Sequence, residues 1–226
     1  MDTGRVSGII SAEQADRLIW LGRYVERVYT TLKMYGQYFD HMIDEEEDSF
    51  PDYCRRMDIP NIYKDKDDFA YRYPYDPSNP DSIISTLGRA YDNAIVLRES
   101  IGSEALSYIQ LAVYDWNKAS ENQAPLMETQ KLIDHILAFW GTVDDQIDSH
   151  QIRSILKAGK RIERTDMLAR MGSSPKLIRR EVDRMIPRVV ESGLKYDSDK
   201  LKTLISLVNA EPVDTYAVVS AVESVF

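Results

Sequence analysis

Two short stretches carry the residues best suited to chemistry. Gly22-Arg23-Tyr24-Val25-Glu26-Arg27 and Gly159-Lys160-Arg161-Ile162-Glu163-Arg164 share a glycine, a basic residue, an aliphatic residue and then Glu-Arg. A carboxylate beside a guanidinium has two uses. The groups can neutralise one another inside a fold and set helix register, or they can line a pocket. There, arginine grips a carboxylate or phosphate bidentately and glutamate serves as a general base. On a helix, Gly22 and Glu26 lie roughly 40° apart, whereas adjacent Glu26 and Arg27 diverge. Their partners must therefore come from other helices. A mid-helix glycine costs about 1 kcal/mol relative to alanine, so a close helix approach is the expected compensation. The reading is that the two copies pack together, Glu26 meeting Arg164 and Glu163 meeting Arg27.

Further polar residues extend this candidate cluster. On one uninterrupted helix, Arg98 would fall in the stripe of Leu87, Tyr91, Ala94 and Ala105, with Asn93 and Glu104 on the neighbouring strip. An arginine there must find an acid, and Arg98→Ala would then cost at least roughly 3 kcal/mol. Lys157, Lys160, Arg161 and Arg164 share one sector and form a candidate anion-binding ridge, or else pair with the acidic run after residue 44. Tyr63, Tyr71, Tyr73 and Tyr75 either form a docking surface or cover the open end of a bundle.

Other chemistries find little support. None of His41, His135 and His150 follows a glutamate by three residues, so the Glu-x-x-His pairs of di-iron bundles are missing and no metal is expected. Neither phosphate-binding glycine loop occurs, so no nucleotide cofactor is expected. Cys54 cannot form an internal disulfide, and although Arg55 and Arg56 would favour its thiolate, it reads as a bystander thiol.

The elements that must position these groups are helices. Ser11 with Gln14 has the form of a capping box, and Leu18, Leu21, Val25, Val28 and Leu32 recur at helical spacing, predicting a helix over about 12–44. Residues 45–79 lose that period and collect Pro51, Pro60, Pro74 and Pro77, an irregular stretch with one short helix near 51–58. Asn79-Pro80 restarts a helix predicted to run to 118. Others are expected at 125–148, 151–171, 175–192, 198–208 and 213–224, the last opened by Asp214. Pro187 should kink or shorten the third of these. The fold class is all-α, an antiparallel helical bundle with an internal pseudo-repeat of the Gly-x-x-aliphatic-Glu-Arg helix, in a single domain over 1–226.

Composition narrows the setting. A net charge of −9 argues against broad nucleic-acid binding, although residues 151–190 hold eleven Lys/Arg against four Asp/Glu. Met1 to Gln14 has no apolar run of signal-peptide length and nowhere do 18 apolar residues occur together, so no membrane segment is expected and the cytoplasm is the expected compartment.

The sequence resembles the alpha-E family, a helical domain with a Glu-Arg motif. The stretch from Ala15 to Arg27 is similar to the family's opening helix. Asp76 to Ile83 resembles its Asn-Pro-x-Ser-Ile helix start. Asn93 with Arg98 to Glu104 resembles its Asn-Ala-x-x-x-Arg-Glu segment, and Gly159 to Arg164 with Asp166 its second Glu-Arg block. Gly102 stands where a serine is usual, the Trp and Asn that commonly follow Glu104 are not in place, and the chain is shorter than typical members, so a short or divergent member is expected. The resemblance implies an accessory or interaction domain associated with ATP-grasp-type or transglutaminase-like proteins, hence with peptide or amide ligation. The competing expectation is an enzyme whose Glu/Arg pocket takes an anionic or peptide substrate.

Overall fold

The computed structural model describes residues 10–44, 50–122 and 125–226, so most of the acidic run from Asp44 to Asp48 lies outside the described residues, as does the His41 side chain. Among the described residues there are α-helices and no strands. Helix α1 (Ala12–Asp44) opens where Ser11 Oγ accepts from Gln14 N at 3.1 Å. The reciprocal half of the capping box is not made, because the Gln14 amide donates to Ser100 Oγ at 2.7 Å. Leu18, Leu21, Val25, Val28 and Leu32 are all buried, as a stripe of period 3.6 requires.

The segment expected to be mostly irregular holds two short helices, α2 (Phe50–Met57) and α3 (Lys66–Arg72), followed by a 3-10 turn at Tyr73–Tyr75. Asp65 caps α3 by accepting from Asp68 N. Phe50, Tyr53, Tyr63, Phe69 and Tyr73 are buried together with Met34 of α1 and Met167. Tyr63 and Tyr73 therefore form a small core and offer no docking surface, while Tyr71 faces solvent.

One long helix over 80–118 was expected, and two occur: α4 (Ile83–Val96) and α5 (Arg98–Asn122). Ser82, not Asn79, is the N-cap, accepting from Ser85 N, while Asn79 is buried with its amide donating to Tyr63 Oη at 2.8 Å. Leu97 ends α4, and Gly102 adds a second break at φ 84°, a value only glycine adopts readily. These breaks re-phase every later residue. Leu97 takes the buried place, and Arg98 is exposed at the head of α5, its Nε donating to Ser103 Oγ at 3.2 Å. The assignment of Arg98 to the apolar stripe with an acidic partner is thus corrected. Arg98→Ala is expected to change the unfolding free energy by no more than about 0.5 kcal/mol in urea titration, as for an ordinary surface substitution.

The remaining helices are α6 (Pro125–Gln146), α7 (His150–Arg170), α8 (Pro175–Glu191), α9 (Ser198–Asn209) and α10 (Thr215–Glu223), with Ser149, Asp197 and Asp214 as side-chain caps of α7, α9 and α10. Pro187 does not shorten α8, which continues to Glu191. Cross-helix contacts fix the directions. Arg17 with Asn93 and Arg27 with Asp81 set α1 antiparallel to α4, and Asp115 with His135 and Glu104 with Gln146 set α5 antiparallel to α6. Helix α7 is central: Ile155 and Leu156 enter the core of α1, α4, α5 and α6, Ala158 and Ile162 enter that of α8–α10, and Met167 joins the aromatic cluster.

Candidate functional site

The two Glu-Arg helices meet at their glycines. A Cβ on Gly22 would lie 2.1 Å from the Leu156 carbonyl oxygen, and one on Gly159 would lie 2.2 Å from the Ile19 carbonyl oxygen. Residues 19 and 156 occupy equivalent positions in the two stretches, so the approach is reciprocal. Here α1 and α7 run side by side in the same direction, Gly22 facing Leu156 and, one turn on, Glu26 facing Arg164.

That geometry crosses the charges. Glu163, fully buried, accepts from Arg27 Nε at 2.5 Å through Oε1 and from Arg23 Nε at 2.8 Å through Oε2. Glu26, equally buried, accepts from Arg164 Nε at 2.5 Å and Thr30 Oγ1 at 2.9 Å, both at Oε1. The position matching Arg23 is Lys160, whose Nζ lies 3.9 Å from the centre of the Trp140 ring and makes no hydrogen bond to Glu26. Glu26 Oε2 is consequently left without a hydrogen-bond partner among the described residues. Burial pushes the Glu26 carboxyl above its ordinary value against the pull of Arg164 and Lys160, and burial pushes Lys160 down to about 8 against the pull of Glu26. For Arg27 and Arg164, burial alone would lower the guanidinium pKa, but Glu163 and Glu26 respectively hold each above its usual value.

The other candidate residues go elsewhere. Asn93 accepts from Arg17 Nη1 at 3.3 Å, and exposed Glu104 accepts from Gln146 at 2.6 Å, so neither Asn93 nor Glu104 nor Arg98 joins the cluster. The phase change at Leu97 and Gly102 is the reason for Arg98 and Glu104. The basic ridge is not free: Lys157 pairs with Asp144 and Arg161 with Glu181 at 2.5 Å. Among the described residues its acids come from α6, α8 and α1; the alternative partner, the acidic run after residue 44, lies outside the described residues. Glu181 is a buried glutamate that sequence reasoning missed. Burial raises its pKa, but Arg161 and Arg164 outweigh this and hold it below the ordinary value. The Arg-Arg-Glu-x-x-Arg run at 179–184 was the available signal. Cys54 is buried and its thiol is pushed up to about 11, opposite to the effect expected of Arg55 and Arg56, which pair with Asp52 instead.

The two Glu-Arg dipeptides of the sequence thus stand in one reciprocal network. A family model described as a predicted alpha-helical domain with a conserved ER motif matches residues 11–216. The chain belongs to the Alpha-E family. Comparisons with curated proteins and with solved structures returned no match. In this Alpha-E chain no helix among the described residues is long and apolar enough to cross a membrane, and no group of three or more His, Cys, Asp or Glu among them could hold a metal ion.

Beside the network lies a cleft of about 180 Å³ between α1, α7 and the turn after α2, lined by Arg27, Thr31, Asp81, Asp166 and Arg170 and walled by Met57, Asp58, Ile59 and Tyr73. Of the candidate cluster it touches Arg27 alone. Asp166 is buried, and both its oxygens accept from Arg170 Nε, at 3.0 and 3.1 Å. Burial and the nearby Glu163 charge push its carboxyl up to about 6, against the pull of Arg170. A folded carboxyl that holds its proton more tightly than the unfolded one, whose ordinary value is 3.8, makes folding take up a proton between those values. Its contribution to stability is therefore greatest at acid pH and is lost as pH rises through about 6. Asp166→Asn removes this dependence: in urea titrations the variant should gain about 1 kcal/mol on wild type between about pH 5 and pH 7.

Proposed function

We propose that this chain is a single helical accessory domain of the cytoplasm that docks an ATP-grasp-type or transglutaminase-like protein in a peptide or amide ligation system. On this reading the Glu-Arg network is the scaffold and does no chemistry. One observation carries the scaffold role: the buried carboxylate of each motif copy accepts a hydrogen bond from an arginine of the other copy. Paired charges of this kind favour a fixed register over substrate binding. The partner class rests on the family resemblance.

The test is reconstitution. The chain, co-expressed with ATP-grasp-type and transglutaminase-like proteins of its own organism, should elute with one of them as a complex of defined mass by size-exclusion chromatography with light scattering. Separate elution of the folded chain from every such protein would count against the docking role. A second reading, an enzyme, draws on Asp166, a carboxyl titrating near 6 at the wall of a cleft. Such a group suits proton transfer near neutral pH. Ligation or hydrolysis by the purified chain, abolished in Asp166→Asn while folding persists, would favour it over docking.

A further inference from the structure

The cleft beside the network is lined by charges of both signs, and several have few partners among the described residues. Arg27 makes one hydrogen bond among the described residues, from Nε to Glu163, and its Nη1 stands 3.7 Å from the Asp81 carboxylate, too far for another. A guanidinium carries five N–H donors, so most of those on Arg27 have no partner among the described residues. Among the described residues the Asp81 carboxylate has only that loose ion pair, and the Asp58 side chain makes no ion pair or hydrogen bond. Asp166 adds a third carboxylate to the wall; it accepts from Arg170 Nε, and Arg170 Nη2 also donates to Glu223 Oε1 at 3.2 Å, so among the described residues the Nη1 donors and one of Nη2 are the ones Arg170 has left for a ligand.

A ligand of one charge sign is disfavoured here. A simple cation would face two guanidinium groups, and a simple anion would face three carboxylates, in a recess where partial desolvation strengthens both repulsions. A molecule carrying both charges a few atoms apart meets complementary groups at each end. A cleft of about 180 Å³ has room for a ligand of amino-acid size. Met57, Ile59 and Tyr73 offer a short apolar wall for a side chain.

We propose that this cleft binds a small zwitterion of the α-amino-acid class, its ammonium held by Asp58 and Asp81 and its carboxylate by Arg27 and Arg170. The inference does not rest on the docking role proposed above and stands or falls separately.

The experiment is isothermal titration calorimetry of the full chain with glycine, L-alanine, L-leucine and L-glutamine. The tightest binder is then compared with its amine-only and acid-only analogues. Saturable binding by at least one amino acid is expected, about tenfold or more tighter than either analogue. Asp58→Asn and Asp81→Asn should each weaken it about tenfold. Asp58 has φ 56°, a left-handed conformation that asparagine also tolerates, so the first variant removes charge without backbone strain. If Asp81→Asn does not fold, Asp58→Asn and NMR shift changes at Arg27 and Asp81 on titration serve in its place. The proposal is overturned if no amino acid binds saturably up to about 10 mM, if an analogue binds as well as the parent, or if Asp58→Asn leaves affinity unchanged.

Discussion

Replacing Glu163 by glutamine is expected to lower the unfolding free energy by about 3 kcal/mol, the size of effect seen when one member of a buried ion pair is removed. Glu163 is fully buried and is the hydrogen-bonded acid of two guanidiniums. Glutamine keeps the volume and one carbonyl oxygen, so little of the loss comes from packing. It comes from Arg23 and Arg27, which lose their counter-charge; Asp81 lies 3.7 Å from Arg27 and compensates only loosely. Partial exposure of both arginines places the figure at the lower end of the range for buried pairs. In a chain of this size each kcal/mol moves the midpoint by roughly 2–4 °C, so thermal unfolding should fall by about 10 °C. A double-mutant cycle with Arg27→Met should return a coupling of at least about 1 kcal/mol. A melting temperature within about 2 °C of wild type would mean that the network contributes little to stability.

The second large effect concerns the glycines, and its sign is the informative part. Glycine to alanine inside a helix ordinarily gains about 1 kcal/mol, through propensity and unfolded-state entropy. At Gly22 and Gly159 the added methyl would sit 2.1 and 2.2 Å from a backbone carbonyl oxygen, where no rotamer change can relieve the clash. The helices must separate, which stretches the ion pairs one turn on and opens the packing around Leu18, Leu21 and Leu156. Gly22→Ala and Gly159→Ala are each expected to cost about 3 kcal/mol or more, at the upper end for overpacking. Gly88→Ala is the matched control: nothing lies within 4 Å of its would-be Cβ in α4, so it should be neutral or stabilising. Similar denaturant midpoints for all three variants would contradict the close approach. Losses at Gly22 and Gly159 alone would establish it as the constraint that sets the network's geometry.

Much of the architecture was legible because it depends on local chemistry. The apolar period of α1 and the caps Ser11 and Asp214 mark real helix ends, since both signals report conditions that adjacent residues satisfy among themselves. The stretch after residue 45 misled for the opposite reason. The helix α3 is only seven residues long and its order comes from burying Phe69 against Tyr53, Tyr63 and Tyr73, which no short window contains. Arg98 misled through a single assumption of continuity: one turn at Leu97 and one glycine at 102 rotate everything after them.

The candidate site divides along the same line. By itself, the sequence determined that each glutamate of a Glu-Arg pair must seek its arginine on another helix, because neighbours on a helix point apart, and that a glycine one turn earlier permits close approach. The reciprocal pairs Glu26–Arg164 and Glu163–Arg27 could be named from the repeat, but the tertiary structure decided the other partners. It brought Arg23 to Glu163 but left Lys160 over the Trp140 ring, added Glu181 as the acid for Arg161, and set Asp166 and Arg27 on the wall of one cleft. Helical spacing fixes angles around one axis, whereas side-chain pairing depends on the relative placement of axes, which comes from packing over the whole core.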